Sequence, residues 1–275
     1  MFIALINLSF SEVHLLLLLL FLILGFSALI YGADILTSGA SSISVNMRID
    51  PLIVGLTVVS IATSMPEMAT SIVAAKGNPD LAIGNILGSN IANIGLILGI
   101  SAFFSPLNIS KRMVRREVPF LLIVSALFYF CSLGGGFSRL EGLFLVLLTL
   151  FYLIYIVKTA KISSKIEPKN ILEREPASLK LRSTKFAIFL VITGTLLLAF
   201  GADTLVGASV EIATRMGAGE LLVGLTILAI GTSLPELAAS IAAVRAGCSD
   251  MCTGNIVGSC LFNILLVGGG VSVIW

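Results

Sequence analysis

The chain has 275 residues, 57% of them hydrophobic and 12% charged, and its net charge is +2. So small a balance leaves no electrostatic footprint for a nucleic acid or an acidic partner. Leu, Ile, Val and Phe runs recur from end to end, which excludes a water-soluble domain and indicates an all-α polytopic membrane protein whose surroundings are the lipid bilayer.

The first apolar run, His14 to Val45, has Glu12 and His14 before it, no Lys or Arg until Arg48, and no small-residue cleavage site. It reads as an uncleaved span rather than a signal peptide. Further runs follow at Pro51 to Ala75, Leu81 to Ser105, Val118 to Leu133, Leu140 to Val157, Phe186 to Thr214, Leu221 to Val244 and Met251 to Trp275. Eight spans are expected, the fourth short and the first and sixth long enough to require tilt.

Threading the chain through these spans puts 14 of the 17 basic residues on one side and only Lys76, Arg139 and Arg215 on the other. The basic side is expected to be cytoplasmic, with the N-terminus outside and the protein in the cell (inner) membrane. The longest polar stretch, 158–185, mixes both signs and two prolines and reads as a cytoplasmic linker. It separates a first half, 1–157, from a second half, 186–275.

Cys131, Cys248, Cys252 and Cys260 show no spacing of a disulfide framework or zinc site and are expected to pack. The only histidine, His14, lies at the edge of a span, so chemistry centred on histidine is not expected. No cofactor is implied.

Shifting the chain against itself by 169 residues aligns 31–75 with 200–244 at 20 identities in 45 positions. "GADIL" at Gly32 returns as "GADTL" at Gly201, and "GLTVVSIATSMPEMATS" as "GLTILAIGTSLPELAAS" from Gly224. After a one-residue shift "GNILGSNIAN" at Gly84 returns as "GNIVGSCLFN" at Gly254, so the repeats extend over 31–105 and 200–275. Five crossings separate their starts, and an odd number inverts the second copy. Inverted repeats with matching interrupted helices are the signature of secondary transporters, with the site where the copies face each other.

Pro66 and Pro235 lack an N–H, which deprives the carbonyls of Ala62 and Gly231 of helical partners and makes them potential cation ligands. Glu67 and Glu236 fall near mid-membrane, where an ionised side chain costs on the order of 2.5 to 3.5 kcal/mol and a cation is the natural partner. Thr63 and Ser64, and Thr232 and Ser233, share the carboxylate face one turn earlier. Gly84 and Gly88, like Gly254 and Gly258, permit close helix approach, and Ser89, Asn93, Ser259 and Asn263 add hydroxyl and amide oxygens. Such hard oxygens suit Ca²⁺ and Na⁺. Taken singly, a membrane Ser or Thr bonds back to its own helix, GxxxG packs and proline kinks; two buried acids at equivalent repeat positions are what mark a functional site.

At these residues the sequence resembles the sodium/calcium exchanger family of the cation/calcium antiporters, whose two alpha repeats carry G-T-S-x-P-E and G-N-x-x-G-S-x-x-x-N. The resemblance implies an inverted-repeat exchanger fold with Ca²⁺ and Na⁺ bound by Glu67 and Glu236. It assigns supporting roles to Thr63, Ser64, Thr232, Ser233, Ser89, Asn93, Ser259 and Asn263, and to the backbone carbonyls of Ser60 and Ala229. Ala62 stands where the family has glycine. Asn93 and Asn263 stand where some members have Asp, so the resemblance does not by itself imply K⁺ coupling or a Na⁺ stoichiometry. The family commonly has ten spans, so two spans of the second half are expected either beyond Trp275 or to be missing from a short form. The linker of 28 residues is too short for calcium-sensing β-domains.

The expected function is secondary active antiport of Ca²⁺ against Na⁺ by alternating access, not an enzymatic reaction, with the first and sixth spans as moving gates. Two carboxylates neutralise one Ca²⁺ or two Na⁺, whereas an empty dianionic site is penalised by desolvation. A Ca²⁺/H⁺ antiporter using the same glutamates, a cation channel and an intramembrane enzyme remain as alternatives. Oligomeric state is not legible.

Overall fold

The computed structural model describes residues 14–77, 79–133, 137–166, 183–218 and 229–274, and the ordered elements among them are all helical. Helix α1 is Leu15–Met47, and Arg48 ends it in the left-handed region at φ 52°. Asp50 then caps the next helix by accepting from Leu52 N at 3.0 Å, with Pro51 in the first turn, where its missing N–H removes nothing. Helix α2 runs through Pro51–Val54, Gly55–Val59 and Ser60–Gly77 in unbroken succession. Helix α3 comprises Pro79–Ile91, Ala92–Ile97 and Leu98–Phe104; α4 comprises Met113–Glu117 and Val118–Ser132; α5 is Arg139–Ile166 and α6 is Thr184–Arg215. The short α7, Ala229–Thr232, is followed by α8, Leu234–Arg245, and α9 comprises Ser249–Phe262, Asn263–Gly268 and Gly269–Ile274.

Six of these helices have the length and apolarity to cross a membrane: Leu15–Met47, Pro51–Lys76, Leu81–Phe104, Arg139–Ala160, Thr184–Arg215 and Ser249–Ile274. The other two expected spans take a different form. The fourth begins with Met113–Glu117, which carries Arg115, Arg116 and Glu117, so only the 15 residues of Val118–Ser132 are continuously apolar. Of the seventh, 221–228 lies outside the described residues and the rest is the α7–α8 pair. The expected linker is also shorter than its polarity suggests, because α5 remains helical to Ile166 and α6 starts at Thr184.

Burial is inverted relative to a soluble protein. Leu16, Ile91 and Leu140 are 69%, 73% and 79% exposed, whereas Glu67 and Glu236 are 1% and 0% exposed. The interior forms two apolar clusters. One joins Leu56 of α2, Val124 and Phe128 of α4, Leu145 and Ile156 of α5, and Leu261 and Leu265 of α9. The other joins Leu36 of α1, Leu198 of α6, Ala239 and Ala243 of α8, and Met251 and Ile256 of α9. Cys248, Cys252 and Cys260 are buried within these clusters, and none of the four cysteines forms a disulfide.

Helices α1 and α6 pack antiparallel along a seam of small residues at seven-residue spacing. A Cβ on Gly25 would meet Leu205 N at 2.8 Å and Gly201 O at 2.9 Å; one on Gly32 would meet Leu198 N at 2.9 Å; one on Gly39 would meet Ala187 O at 2.8 Å. Gly25 and Gly32 correspond in the duplication to Gly194 and Gly201. Gly25 meets Gly201 while Gly32 meets Gly194, so the contact maps onto itself, as an isologous two-fold contact does.

The two copies are covered unequally. Helices α4 and α5 pack on α9, with Gly142 against Gly269 and Ser272 and with Phe128 against Gly268. An apolar stretch of 18 residues within Ser249–Ile274 is 78% buried, against 33% for one within Leu81–Phe104. Leu81, Leu87, Ile91 and Ile94 of α3 are accordingly exposed.

Candidate functional site

Glu67 of α2 and Glu236 of α8 are buried and in direct electrostatic contact. Neither is joined to a basic side chain among the described residues. Ser64 Oγ donates to Glu236 Oε1 at 3.1 Å. Glu236 Oε2 and both Glu67 oxygens have no hydrogen-bond partner. Buried oxygens left open in this way are costly in isolation and suit a positive ion.

The surrounding groups come from both copies. Thr63 Oγ1 lies 3.2 Å from Asn255 Oδ1, 3.4 Å from Ser259 Oγ and 3.4 Å from Ser60 O. Ser60 is itself fully buried, its side chain against Gly258. Ser89, Asn93, Ser233 and Asn263 are all buried, and Ser89 Oγ, Asn93 Oδ1, Ser233 Oγ and Asn263 Oδ1 lack hydrogen-bond partners. Thr232 is half-buried beside them in sequence, and Ala229 is the first residue of α7. Of the twelve residues picked out from sequence, the structure draws Thr63, Ser64, Glu67, Glu236, Ser259 and the carbonyl of Ser60 into recorded contacts with one another. Ser89, Asn93, Ser233 and Asn263 contribute unsatisfied buried atoms without such contacts.

The local backbone explains part of this placement. Asn263 opens the π-helical segment Asn263–Gly268, and Asn93 is the second residue of the corresponding segment Ala92–Ile97. A π turn re-aims side chains and is frequent at functional sites. Close helix approach does the rest for the second copy: Gly254 lies against Leu52 and Leu56, Gly258 against Leu56 and Ser60, and Gly55 against Met251. At Gly84 and Gly88 a Cβ would meet no described atom within 4 Å. In the duplication the counterparts of Leu52 and Leu56 are Leu221 and Leu225, which lie outside the described residues.

One expectation is corrected. The proline motifs predict matching interruptions, but α2 remains helical through Pro66, whereas the second copy breaks at Ser233, φ −92° and ψ 5°, between α7 and α8. Pro235 therefore occupies the first turn of a new helix, a position that tolerates it, while Pro66 sits inside a continuous one.

Three asparagines that sequence reasoning passed over hold the site together. Asn255 Nδ2 donates to Ser240 Oγ at 3.0 Å, and Asn85 Nδ2 makes the pseudo-equivalent bond to Ser71 Oγ at 2.9 Å. Asn90 accepts from Asn263 Nδ2 at 3.2 Å and donates to Cys260 O at 3.2 Å, linking α3 to α9. Asn85 and Asn255 follow the motif glycine in both copies, and that shared position was the available signal.

Among the described residues there is no cluster of three or more His, Cys, Asp or Glu side chains. The donor set is two carboxylates with hydroxyls and amides, all oxygen, as a hard cation prefers. So few carboxylates suit an ion that must also leave.

Comparison with known proteins agrees with this geometry. The family model described as sodium/calcium exchanger protein matches residues 17–158 and 186–275. The putative antiporter CaxA of Alkalimonas amylolytica is 41% identical over 254 residues, covering 91% of this chain and 78% of that protein. The inner membrane protein YrbG of Escherichia coli K12 is 40% identical over 251 residues, covering 90% and 77%. The solved structure of the sodium-calcium exchanger NCX_Mj, soaked with 2.5 mM Na⁺ and 0.1 mM Ca²⁺, superposes with a TM-score of 0.80 at 31% identity, covering 94% of this chain and 82% of that one.

Proposed function

The chain belongs to the sodium/calcium exchanger family, and from that membership we propose that it exchanges Ca²⁺ for Na⁺ across the inner membrane, with Glu67 and Glu236 as the principal ligands of the transported ions. The observation that carries this reading is the contact of two buried acids, one from each copy, with three open oxygens and no described basic partner. Thr63, Ser64, Thr232, Ser233, Ser89, Asn93, Ser259 and Asn263 supply further oxygens, and Ser60 and Ala229 supply backbone carbonyls. A family relative described as an inner membrane protein supports the location, and the basic loops support an N-terminus outside and a cytoplasmic linker.

The two carboxylates balance one Ca²⁺ or two Na⁺, so the loaded site crosses without net buried charge. An unloaded dianionic site is opposed by desolvation, which favours exchange over leak. The contact of the two carboxyl groups also suits a shared proton, which makes H⁺ the competing counter-ion. In proteoliposomes loaded with Na⁺ at uniform pH, an outward Na⁺ gradient is expected to drive Ca²⁺ uptake. Uptake driven by a pH gradient without Na⁺ would establish H⁺ coupling instead, and downhill flux needing no counter-ion would establish a channel.

A further inference from the structure

Resting on the reading of Glu67 and Glu236 as an ion site, we propose that Asn255 is a positioning residue that takes up the hydroxyl proton of Thr63, so that Thr63 offers the transported cation a lone pair. The amide is held from three sides. Asn255 Nδ2 donates to Ser240 Oγ at 3.0 Å and to the backbone carbonyl of Glu236 at 3.4 Å, while Oδ1 lies 3.2 Å from Thr63 Oγ1. Asn255, Thr63 and Ser240 are each fully buried.

A carbonyl oxygen only accepts, so the Glu236 carbonyl requires the nitrogen of Asn255 to face it and leaves the oxygen to face Thr63. That oxygen cannot donate, so Thr63 must. Left to itself, a threonine in a membrane helix gives its proton to the preceding turn, and here the carbonyl of Ser60 stands at 3.4 Å. Asn255 Oδ1 is the nearer acceptor. With the single hydroxyl proton spent there, the 3.4 Å contact with Ser259 can be made only by Ser259 donating, and one lone pair of Thr63 stays open. The Ser60 carbonyl is released as well. Oxygens of this kind, with no proton aimed at the ion, are what a hard cation binds.

The contact is built from both copies. Gly254, next to Asn255, lets α9 approach the backbone of α2 at Leu52 and Leu56, close enough for a side chain as short as asparagine to cross from the second copy to Thr63 of the first. The anchoring half is present twice, since Asn85 Nδ2 donates to Ser71 Oγ at 2.9 Å.

Equilibrium binding of labelled Ca²⁺ to the purified full chain in detergent tests this. Asn255→Ala and Thr63→Ala are each expected to raise the half-saturating Ca²⁺ concentration about tenfold, and the double variant to rise no further than Thr63→Ala alone. An unchanged value in Asn255→Ala, or shifts that multiply in the double variant, overturns the assignment, since a residue that only braces the fold acts independently of the Thr63 hydroxyl. Should Asn255→Ala fail to accumulate, Ser240→Ala loosens the same amide without removing an ion ligand. Its smaller rise is expected to vanish in the Thr63→Ala background, and a rise that persists there overturns the assignment equally. Absence of Ca²⁺ binding by the unaltered chain would instead remove the ion-site reading itself.

Discussion

Ser64 of the first copy donates its hydroxyl to Glu236 of the second at 3.1 Å, whereas Ser233, its counterpart, is buried without a partner. The two acids are thus unequal here: Glu236 has one oxygen satisfied and Glu67 none. Ser64→Ala removes a charge-assisted bond of about 1.5 to 3 kcal/mol. It is expected to change half-saturation by Ca²⁺ by about tenfold. An unchanged titration would show that the bond does not couple to ion binding.

Glu67→Gln and Glu236→Gln each leave one carboxylate to face a divalent ion. Either substitution is expected to abolish Na⁺-dependent Ca²⁺ uptake in proteoliposomes, because the remaining charge cannot offset the desolvation of Ca²⁺. Uptake at the unaltered rate in both variants would refute the ligand assignment.

A Cβ on Gly194 would lie 2.5 Å from Leu36 N and 2.8 Å from Gly32 O, both backbone atoms that cannot swing aside. Gly194→Val should separate α1 from α6 and destabilise the fold by about 1 to 3 kcal/mol. The measurement is the thermal transition in detergent. Gly217, where a Cβ would meet nothing within 4 Å, has φ +83° and is not a neutral control; Gly99, open and without such a φ, is one.

Away from the site, Arg112 Nε donates to Glu117 Oε1 at 3.0 Å and Arg112 Nη2 to Thr159 Oγ1 at 3.0 Å, while Tyr152 OH donates to Glu117 Oε2 at 3.0 Å. Tyr152 also stacks on Phe120 with ring centroids 4.9 Å apart. Arg112→Ala strands Glu117, which is 1% exposed, and is expected to cost about 3 to 5 kcal/mol of stability. Ion half-saturation of the protein that does fold should match the unaltered chain, and a changed value would tie this network to transport.

Much of this was legible in sequence because duplication repeats the signal. Glu67 and Glu236 stood out through a shared proline motif, and the exposed apolar faces followed from run lengths. The tie residues did not, since an asparagine such as Asn90 or Asn255 declares its partner only once α3 and α9 meet. The unequal helix break was also hidden. Nearly identical motifs surround Pro66 and Pro235, and their surroundings differ only once folded: Pro66 borders a cavity, whereas α8, which carries Pro235, packs against α1. The fourth span matches its expected apolar stretch, but its helix starts earlier, at Met113–Glu117, because Glu117 and Arg112 pair inside the fold, where charge counting marks a boundary.

The seam at Gly25, Gly32, Gly194 and Gly201 brings two backbones so close that a Cβ at any of the four would meet backbone atoms of the other helix at 2.5 to 2.9 Å. A side chain added at any one rung therefore pushes on both copies at once, and the four glycines set the separation of α1 and α6 jointly rather than one by one.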